Sequence, residues 1–218
     1  MKKIILFFIA FSLLIFTVMI SGCAERGVKS YAHCGKICSA MKENNDEEFL
    51  RLISNTKFNL NQYGSSPIVD FFEAIRRTPL QEACYLEKPY YVEKLLENGA
   101  DPNYPKVSKA DNGLLPLPMA IAYSFKSHDI SNTQNAVEIV RMLLESGADP
   151  NVVISNGRTC LIKLVAREPK YYNEYHSDIA RLLVEHEADI SVADSNGMTA
   201  YDYAVKFGRI ELYELLKP

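Results

Sequence analysis

Three segments of the chain close with the same pattern of apolar and polar residues. Each carries two leucines followed by polar residues, a Gly or Glu, an Ala and an Asp, and the segments are 95–103, 143–151 and 182–191. Apolar residues at helical spacing predict an amphipathic helix that buries one face. A glycine after such a helix adopts the left-handed conformation at little cost. The pattern therefore predicts three similar helices, each followed by a turn.

Three other segments begin with a similar sequence. Each predicts the start of a shorter helix. They are residues 78–83, 159–161 and 199–204, with 115–120 as a degenerate fourth. A threonine at the start caps free backbone N–H groups, and a following proline has no N–H to lose. An Asn-Gly pair, which favours tight turns, begins three residues before the starts at 115, 159 and 199. The repeated unit is therefore a turn, a short helix and a second helix.

This order of motifs resembles the ankyrin repeat from about residue 46 to residue 216. The resemblance implies an all-α ankyrin-repeat solenoid of about four full repeats plus an N-terminal half repeat, with Glu47–Ser54 as the helix of the half repeat. Two insertions, around 124–134 and 168–175, separate the two helices of their repeats. Stacked repeats need polar faces at their ends, and Glu211, Glu214 and Lys217 suggest such a face at the C-terminal end.

The N-terminus has the layout of a secretory signal peptide. Lys2 and Lys3 precede an apolar stretch over residues 4–20, which is borderline short for the alternative, a permanent transmembrane anchor. Residues 20–23, Ile-Ser-Gly-Cys, resemble the lipobox of bacterial lipoproteins, in which the cysteine, here Cys23, is acylated. In a Gram-negative host, Ala24 at the next position implies sorting to the outer membrane.

Together these patterns divide the chain into three parts. Residues 1–22 form the signal peptide, residues 23–45 a lipid-anchored tether, and residues 46–218 the ankyrin-repeat domain. We expect the tether to be flexible, because residues 24–30 show no apolar periodicity. The expected location is the bacterial cell envelope, with the lipid in the outer membrane and the domain on the periplasmic side.

The charge balance argues against nucleic acid as a partner. The 218 residues include 24 Lys and Arg against 27 Asp and Glu, for a net charge of −3. The predicted signal peptide contributes two lysines and no acid, so the mature protein is more acidic still. Affinity for phosphate backbones comes mainly from clustered basic residues, and the sequence has no basic run.

Four thiols remain if Cys23 is acylated. Cys34 and Cys38 follow His33 and are four residues apart, which leaves three alternatives: a local disulfide, two free thiols, or a thiol or metal site with His33. The spacing matches neither a redox CxxC motif nor a haem attachment site, and zinc would need a second ligand pair. Cys84 and Cys160 lie in apolar segments, where cysteine usually behaves as a small buried hydrophobe.

The sequence lacks a recognisable catalytic motif, so we expect no enzyme activity, no cofactor, no metal and no small-molecule substrate. The histidines are scattered, and we expect His176, near a helix start, to be a solvated or capping group. The glutamates at 47 and 48 would complement the helix dipole.

Tyrosine is abundant, with 13 Tyr and no Trp. We assign Tyr201, Tyr203 and Tyr213 to the core. Tyrosines at insertions or interhelical turns form either a partner surface or a satellite core, and these are Tyr90, Tyr91, Tyr171, Tyr172 and Tyr175. In the ankyrin family, partners contact the turn tips, the residue before the first helix and the residues after its alanine pair. By that resemblance the contact residues are Arg77, Tyr85, Leu86, Tyr123, Asn156, Arg158, Arg167, Asn196, Met198, Lys206 and Phe207.

The expected partner is therefore another protein, with the membrane reached only through the lipid. Small ankyrin lipoproteins of this layout resemble immunity proteins that neutralise a periplasm-acting antibacterial toxin, such as a type VI phospholipase effector. The alternatives are a scaffold or chaperone for a resident periplasmic enzyme, for example a catalase, and thiol or metal chemistry at His33, Cys34 and Cys38.

Overall fold

The computed structural model describes residues 32–62, 77–104, 114–123 and 130–218, and side chains at all of these except 123 and 130–133. In these segments the structure consists of α-helices joined by turns, loops and short 3₁₀ helices, with two isolated β-bridges, Val153 with Thr159 and Ala193 with Thr199. The helices are α1 (32–43), α2 (Asp46–Ile53), α3 (Pro79–Tyr85), α4 (Pro89–Glu97), α5 (Pro116–Tyr123), α6 (Ile130–Glu145), α7 (Cys160–Val165), α8 (Glu174–Glu185), α9 (Ala200–Phe207) and α10 (Tyr213–Leu216).

Some predictions fall on residues outside these segments. They are the signal peptide, the lipidation site Cys23, and most of the first insertion. No helix in the described part of the chain is long and apolar enough to cross a membrane.

The predicted helix starts are confirmed by their hydrogen bonds. The Thr78 hydroxyl accepts a bond from the Gln81 backbone N–H at 3.2 Å, and the Gln81 side chain accepts one from the Thr78 N–H at 2.7 Å. Thr159 and Thr199 cap α7 and α9 in the same position. Each of these bonds satisfies a donor that the first turn of a helix cannot satisfy itself.

The predicted helix ends are also confirmed. Gly99 and Gly147 follow α4 and α6 with φ of 84° and 86°, and Glu187 follows α8 with φ of 67°. After each, the N–H of an alanine bonds to a leucine carbonyl of the last helical turn at 2.9 to 3.0 Å. Glu187 is therefore a non-glycine residue held in the left-handed region, which is unfavourable by about 1 kcal/mol.

The helices pair in chain order and stack as repeats. Repeat 1 is α1 with α2, repeat 2 is α3 with α4, repeat 3 is α5 with α6, repeat 4 is α7 with α8, and repeat 5 is α9 with α10. The first helix of one repeat contacts the first helix of the next, so α3 contacts α5 and α7 contacts α9. The second helices are arranged in the same way, since α4 contacts α6 and α6 contacts α8. One apolar core runs through them, because Leu80, Leu117 and Leu161 at matching positions are all buried.

Two predictions about the N-terminal part are wrong. Residues 32–43 form a helix rather than a flexible tether, with Cys34, Ile37, Cys38 and Met41 buried. These positions are spaced three and four apart, so they form one apolar face that packs into the solenoid. The predicted half repeat is consequently a complete helix pair, and the folded domain includes residues 32–45.

Candidate protein-binding face

A buried carboxylate organises the junction between repeats 4 and 5. Asp194 Oδ2 accepts hydrogen bonds from Arg158 Nε at 3.0 Å and from the Tyr203 hydroxyl at 2.8 Å. Arg158 Nη2 also donates to the Tyr203 hydroxyl at 2.8 Å. The Asp194 side chain is fully covered, whereas 31% of the Arg158 side chain is exposed. The three groups therefore hold an arginine in a fixed orientation at the surface.

The charge state of Asp194 follows from these contacts. Burial alone would raise the pKa of Asp194, but hydrogen bonds from Tyr203, the Asn196 backbone and Arg158 outweigh it and hold that pKa well below its usual range. Asp194 is therefore ionised at neutral pH. Its second oxygen accepts the N–H groups of Asn196 at 2.8 Å and Met198 at 3.2 Å, which shapes the hairpin before α9.

The tips of adjacent hairpins touch each other. The Ser195 N–H donates to the Asn156 carbonyl at 3.0 Å, and a Cβ added at Gly157 would meet the Ser195 nitrogen at 3.2 Å. Asn156 has φ of 59° and Gly157 has φ of 71°, as a tight turn requires. The side chains of Asn156 and Asn196 are exposed, so both predicted tip residues are accessible.

The end of α9 adds aromatic surface to the same face. Phe207 is half-buried, and its ring lies 6.3 Å from that of Tyr203 in a stacked orientation. Lys206 is exposed, with Nζ 5.9 Å from the Tyr203 ring and 5.6 Å from the Phe207 ring. Met198 is half-buried and packs against the core, so only part of its side chain belongs to this face. We call the surface carrying Arg158, Lys163, Arg167, Lys206 and Phe207 the first-helix face, and the buried Tyr203 packs against it.

The second insertion packs mainly on its own repeat and the next one. The Arg209 guanidinium lies 3.3 Å from the centre of the Tyr172 ring and donates to the carbonyls of Val165, at 3.0 Å, and Arg167. The Tyr172 hydroxyl is 3.0 Å from Ser177 Oγ. Tyr172 therefore belongs to a satellite core, whereas Tyr171 is 52% exposed and remains a candidate contact. Tyr175 is half-buried.

His176 caps the start of α8 and is buried. Its Nδ1 accepts the Asn173 N–H at 3.1 Å, and its ring stacks on Tyr172 at 4.8 Å. Burial, together with Arg167 and Arg209, lowers the pKa of His176 to about 3. The expectation of a capping role is confirmed, and that of a solvated imidazole is wrong because the residue is buried.

Comparison with known families identifies the repeats. Residues 76–106 match the family described as Ankyrin repeat, and residues 127–218 match the family described as Ankyrin repeats (3 copies). These segments are ankyrin repeats. The predicted all-α ankyrin solenoid is thereby confirmed, although α1 and α2 lie outside both matches. No curated protein matches the chain. Ankyrin repeats generally bind other proteins and are not catalytic, so the domain is a protein-interaction module.

In ankyrin repeat 2, two of the predicted contact residues serve the fold. Arg77 Nη1 lies 3.0 Å from the buried Glu82 carboxylate, and its guanidinium stacks 3.8 Å from the centre of the Tyr85 ring. Only 14% of the Arg77 side chain is exposed, and Leu86 packs against the core. Both residues therefore have a role within the fold, and their contact with a partner stays a prediction. Tyr123 ends α5, and its side chain lies outside the described residues.

Of the three alternatives for Cys34 and Cys38, the described chain has the two free thiols, and Cys84 and Cys160 are also free. Burial raises the pKa of Cys34 to about 11 and that of Cys160 to about 12, which disfavours the reactive thiolate. The two neighbouring thiols lie on the buried face of α1 and each contributes to packing.

His33, Cys34 and Cys38 also do not form a joint site. The His33 ring stacks on Phe58 at 3.9 Å, and its Nε2 is 3.0 Å from the Leu52 carbonyl. Cys34 Sγ instead faces the Asn59 carbonyl at 3.6 Å. Within the described residues no group of three His, Cys, Asp or Glu could hold a metal ion. The structure therefore offers no support for thiol or metal chemistry there.

Sequence reasoning missed Asp194, Tyr203 and Arg209 as organising residues. Asp194 stands two residues before an Asn-Gly pair, a position from which a carboxylate can bond turn N–H groups. That signal was available in the sequence. Its pairing with Arg158, 36 positions away, was not.

Proposed function

We propose that this protein is a lipid-anchored periplasmic immunity protein that binds and neutralises an antibacterial toxin, such as a type VI phospholipase effector. The observation that carries the proposal is the first-helix face, where Arg158, Lys206 and Phe207 occupy contact positions of the ankyrin family. Arginine and aromatic residues contribute most of the binding energy at protein interfaces.

The rigidity of these side chains supports tight binding. Arg158 is held by Asp194 and Tyr203, and Tyr203 stacks with Phe207, so these groups lose little freedom when a partner docks. An inhibitor needs high affinity, because it must hold its target inactive at low concentration. A preorganised face meets that requirement better than mobile loops do.

The lipid anchor would place this face where such a toxin arrives. Residues 20–23 provide the lipobox, and Cys23 would carry the lipid. Several acyl chains hold a protein firmly to a membrane, whereas one chain binds only weakly. A toxin that attacks envelope lipids would then meet its inhibitor at the membrane surface. Substituting Cys23 with serine should release the protein from the membrane fraction, and retention after a carbonate wash would instead indicate a transmembrane anchor.

The decisive experiment uses the product of the gene next to the one encoding this protein. Its affinity for the full-length protein is measured by titration calorimetry, and its activity is assayed with and without the protein. We expect tight binding, loss of toxin activity, and weaker binding on substituting Phe207 with alanine. Glu138→Ala, on the exposed side of α6, is the matched control and should bind like wild type. A bound partner that keeps its activity would indicate a scaffold or chaperone instead.

A further inference from the structure

The first-helix face carries several cations within two adjacent repeats. Arg158 precedes α7, while Lys163 and Arg167 lie on or just after it, and Lys206 lies near the end of α9. Lys163 and Tyr203 each stand four residues after the capping threonine of their helix, so they occupy matching positions in neighbouring repeats. The Tyr203 ring links the cations, because its centre is 5.2 Å from the Arg158 guanidinium and 5.9 Å from Lys206 Nζ.

The acidic side chains nearest this surface are already engaged. Asp194 is buried against Arg158 and Tyr203, and Asp202 accepts the N–H and hydroxyl of Thr199 at 2.8 and 2.7 Å. Among the described residues no carboxylate forms an ion pair with Lys163 or Lys206. The four cations Arg158, Lys163, Arg167 and Lys206 outnumber the two carboxylates Asp194 and Asp202, so the face has a local excess of positive charge, although the whole chain has a net charge of −3.

We infer that the partner presents an acidic protein segment to this face, with Asp or Glu side chains opposite Lys163 and Lys206. This inference rests on the proposed binding role and adds the chemistry of the partner. The half-buried Phe207 ring, stacked on the buried Tyr203 ring, supplies apolar contact area beside Lys206, which suits a folded or extended polypeptide. A nucleic acid or an anionic membrane would extend beyond the face and meet the acidic remainder of the domain.

Opposite charges at an interface act mainly on the association rate and on specificity. Attraction between an acidic segment and this face would speed encounter and would be screened as salt increases. Binding that is dominated by the apolar rings alone would change little with salt. The salt dependence therefore separates a charge-matched partner from a partner held only by apolar contact.

The test uses the full-length protein in nonionic detergent and two synthetic dodecapeptides. One peptide alternates Glu with Tyr, and the other has Lys in place of each Glu. We expect the acidic peptide to bind more tightly than the basic one and to weaken as salt rises from about 50 to about 300 mM. The double variant K163E/K206E should bind it at least about tenfold more weakly.

The matched control is K36E/K57E, which makes the same change of charge at two exposed residues of repeat 1. It should keep the affinity of wild type within about twofold. Equal binding of both peptides, or equal losses in both double variants, would overturn the inference. The inference would also be overturned if the protein bound duplex DNA or phosphatidylglycerol vesicles more tightly than the acidic peptide, and if K163E/K206E abolished that binding.

The proposed function and this inference can fail separately. If the adjacent gene product binds and is inhibited, but its association rate is unaffected by salt and by K163E/K206E, the inference fails and the immunity role stands. If that product does not bind while the acidic peptide behaves as expected, the immunity role fails and the acidic preference stands.

Discussion

The side-chain oxygen of Asn103 accepts a hydrogen bond from the backbone N–H of Asp149 in the next repeat at 2.9 Å. Its Nδ2 donates to the Gly147 carbonyl at 2.7 Å. Asn151 makes the same pair of bonds to repeat 4, and Asn61 bonds to the Asp101 N–H at 2.7 Å. One asparagine in each of repeats 1 to 3 therefore links successive turns, and the series begins in repeat 1, which places that helix pair in register with the others.

The first prediction concerns this series. Asn103→Ala removes two bonds between repeats and should lower the free energy of unfolding by about 1–2 kcal/mol. The measurement is urea unfolding of the full-length protein followed by circular dichroism. Asn98→Ala is the control, since its amide bonds only to the Lys94 carbonyl of its own helix at 2.9 Å. An equal loss in both variants would show that the link between repeats adds nothing.

The second prediction concerns the strained end of α8. Glu187→Gly should stabilise the protein by about 1 kcal/mol, because glycine adopts a φ of 67° without the Cβ clash. The Glu187 carbonyl that accepts Asn151 Nδ2 at 3.1 Å is retained. The reciprocal variant Gly147→Ala should destabilise by a similar amount. Thermal unfolding of both variants gives the comparison, and a destabilised Glu187→Gly would contradict the explanation.

The third prediction tests the position of α1. Ile37 is fully buried, so Ile37→Ala should destabilise the domain by about 2–4 kcal/mol. Its exposed neighbour Lys36 provides the control, since Lys36→Ala should change stability by less than about 0.5 kcal/mol. If residues 23–45 were a flexible tether, both variants would unfold like wild type.

These cases show which features a sequence reveals. Capping threonines and helix-ending glycines act within a few residues, so Thr78 and Gly99 predicted their helices correctly. The α1 helix was missed because two of the residues on its apolar face, Cys34 and Cys38, are cysteines, which suggested redox or metal chemistry. The sequence did not show which of the predicted contact positions also serve an internal network, since arginine and tyrosine suit an interface and an internal network equally well. Arg77 forms an ion pair with the buried Glu82, and only the three-dimensional structure shows this.

The fourth prediction concerns pH. The pKa of Asp194 is lower in the folded protein than in the unfolded chain, so its ionisation stabilises the fold above the unfolded pKa of about 3.9. That stabilisation is lost as the pH falls from about 4 through the folded pKa. Asp194→Asn should therefore be less stable than wild type at pH 7, and the difference should shrink toward pH 2.

The measurement is the free energy of unfolding between pH 7 and pH 2. Asp178→Asn, at an exposed position of α8, is the control and should follow the wild-type curve. Parallel curves for wild type and Asp194→Asn would show that the carboxylate of Asp194 does not contribute to this pH dependence.

The fifth prediction concerns Arg209, which joins repeat 5 to repeat 4 and to the second insertion. Its guanidinium donates to the carbonyls of Val165, the last residue of α7, and of Arg167, and it covers the Tyr172 ring. Lys88 occupies the matching position in repeat 2, because Lys88 and Arg209 each lie ten residues after the capping threonine of their repeat. Lys88 likewise donates to a carbonyl of the preceding repeat, that of Met41, at 2.9 Å. Arg209→Ala should cost about 3 kcal/mol, since it leaves buried carbonyls unpaired and removes the cation from Tyr172.

Arg209→Lys should recover part of that loss, because the ammonium of Lys88 fills the matching role by donating to the Met41 carbonyl. Hydrogen exchange separates the two contributions. The amides of residues 168–175 should exchange faster in Arg209→Ala, since Tyr172 loses the group that fixes it. Arg181→Ala, which removes only a 3.3 Å bond to the Glu211 carbonyl at the surface, should leave those amides protected. Unchanged exchange in Arg209→Ala would show that the insertion holds its conformation without this contact.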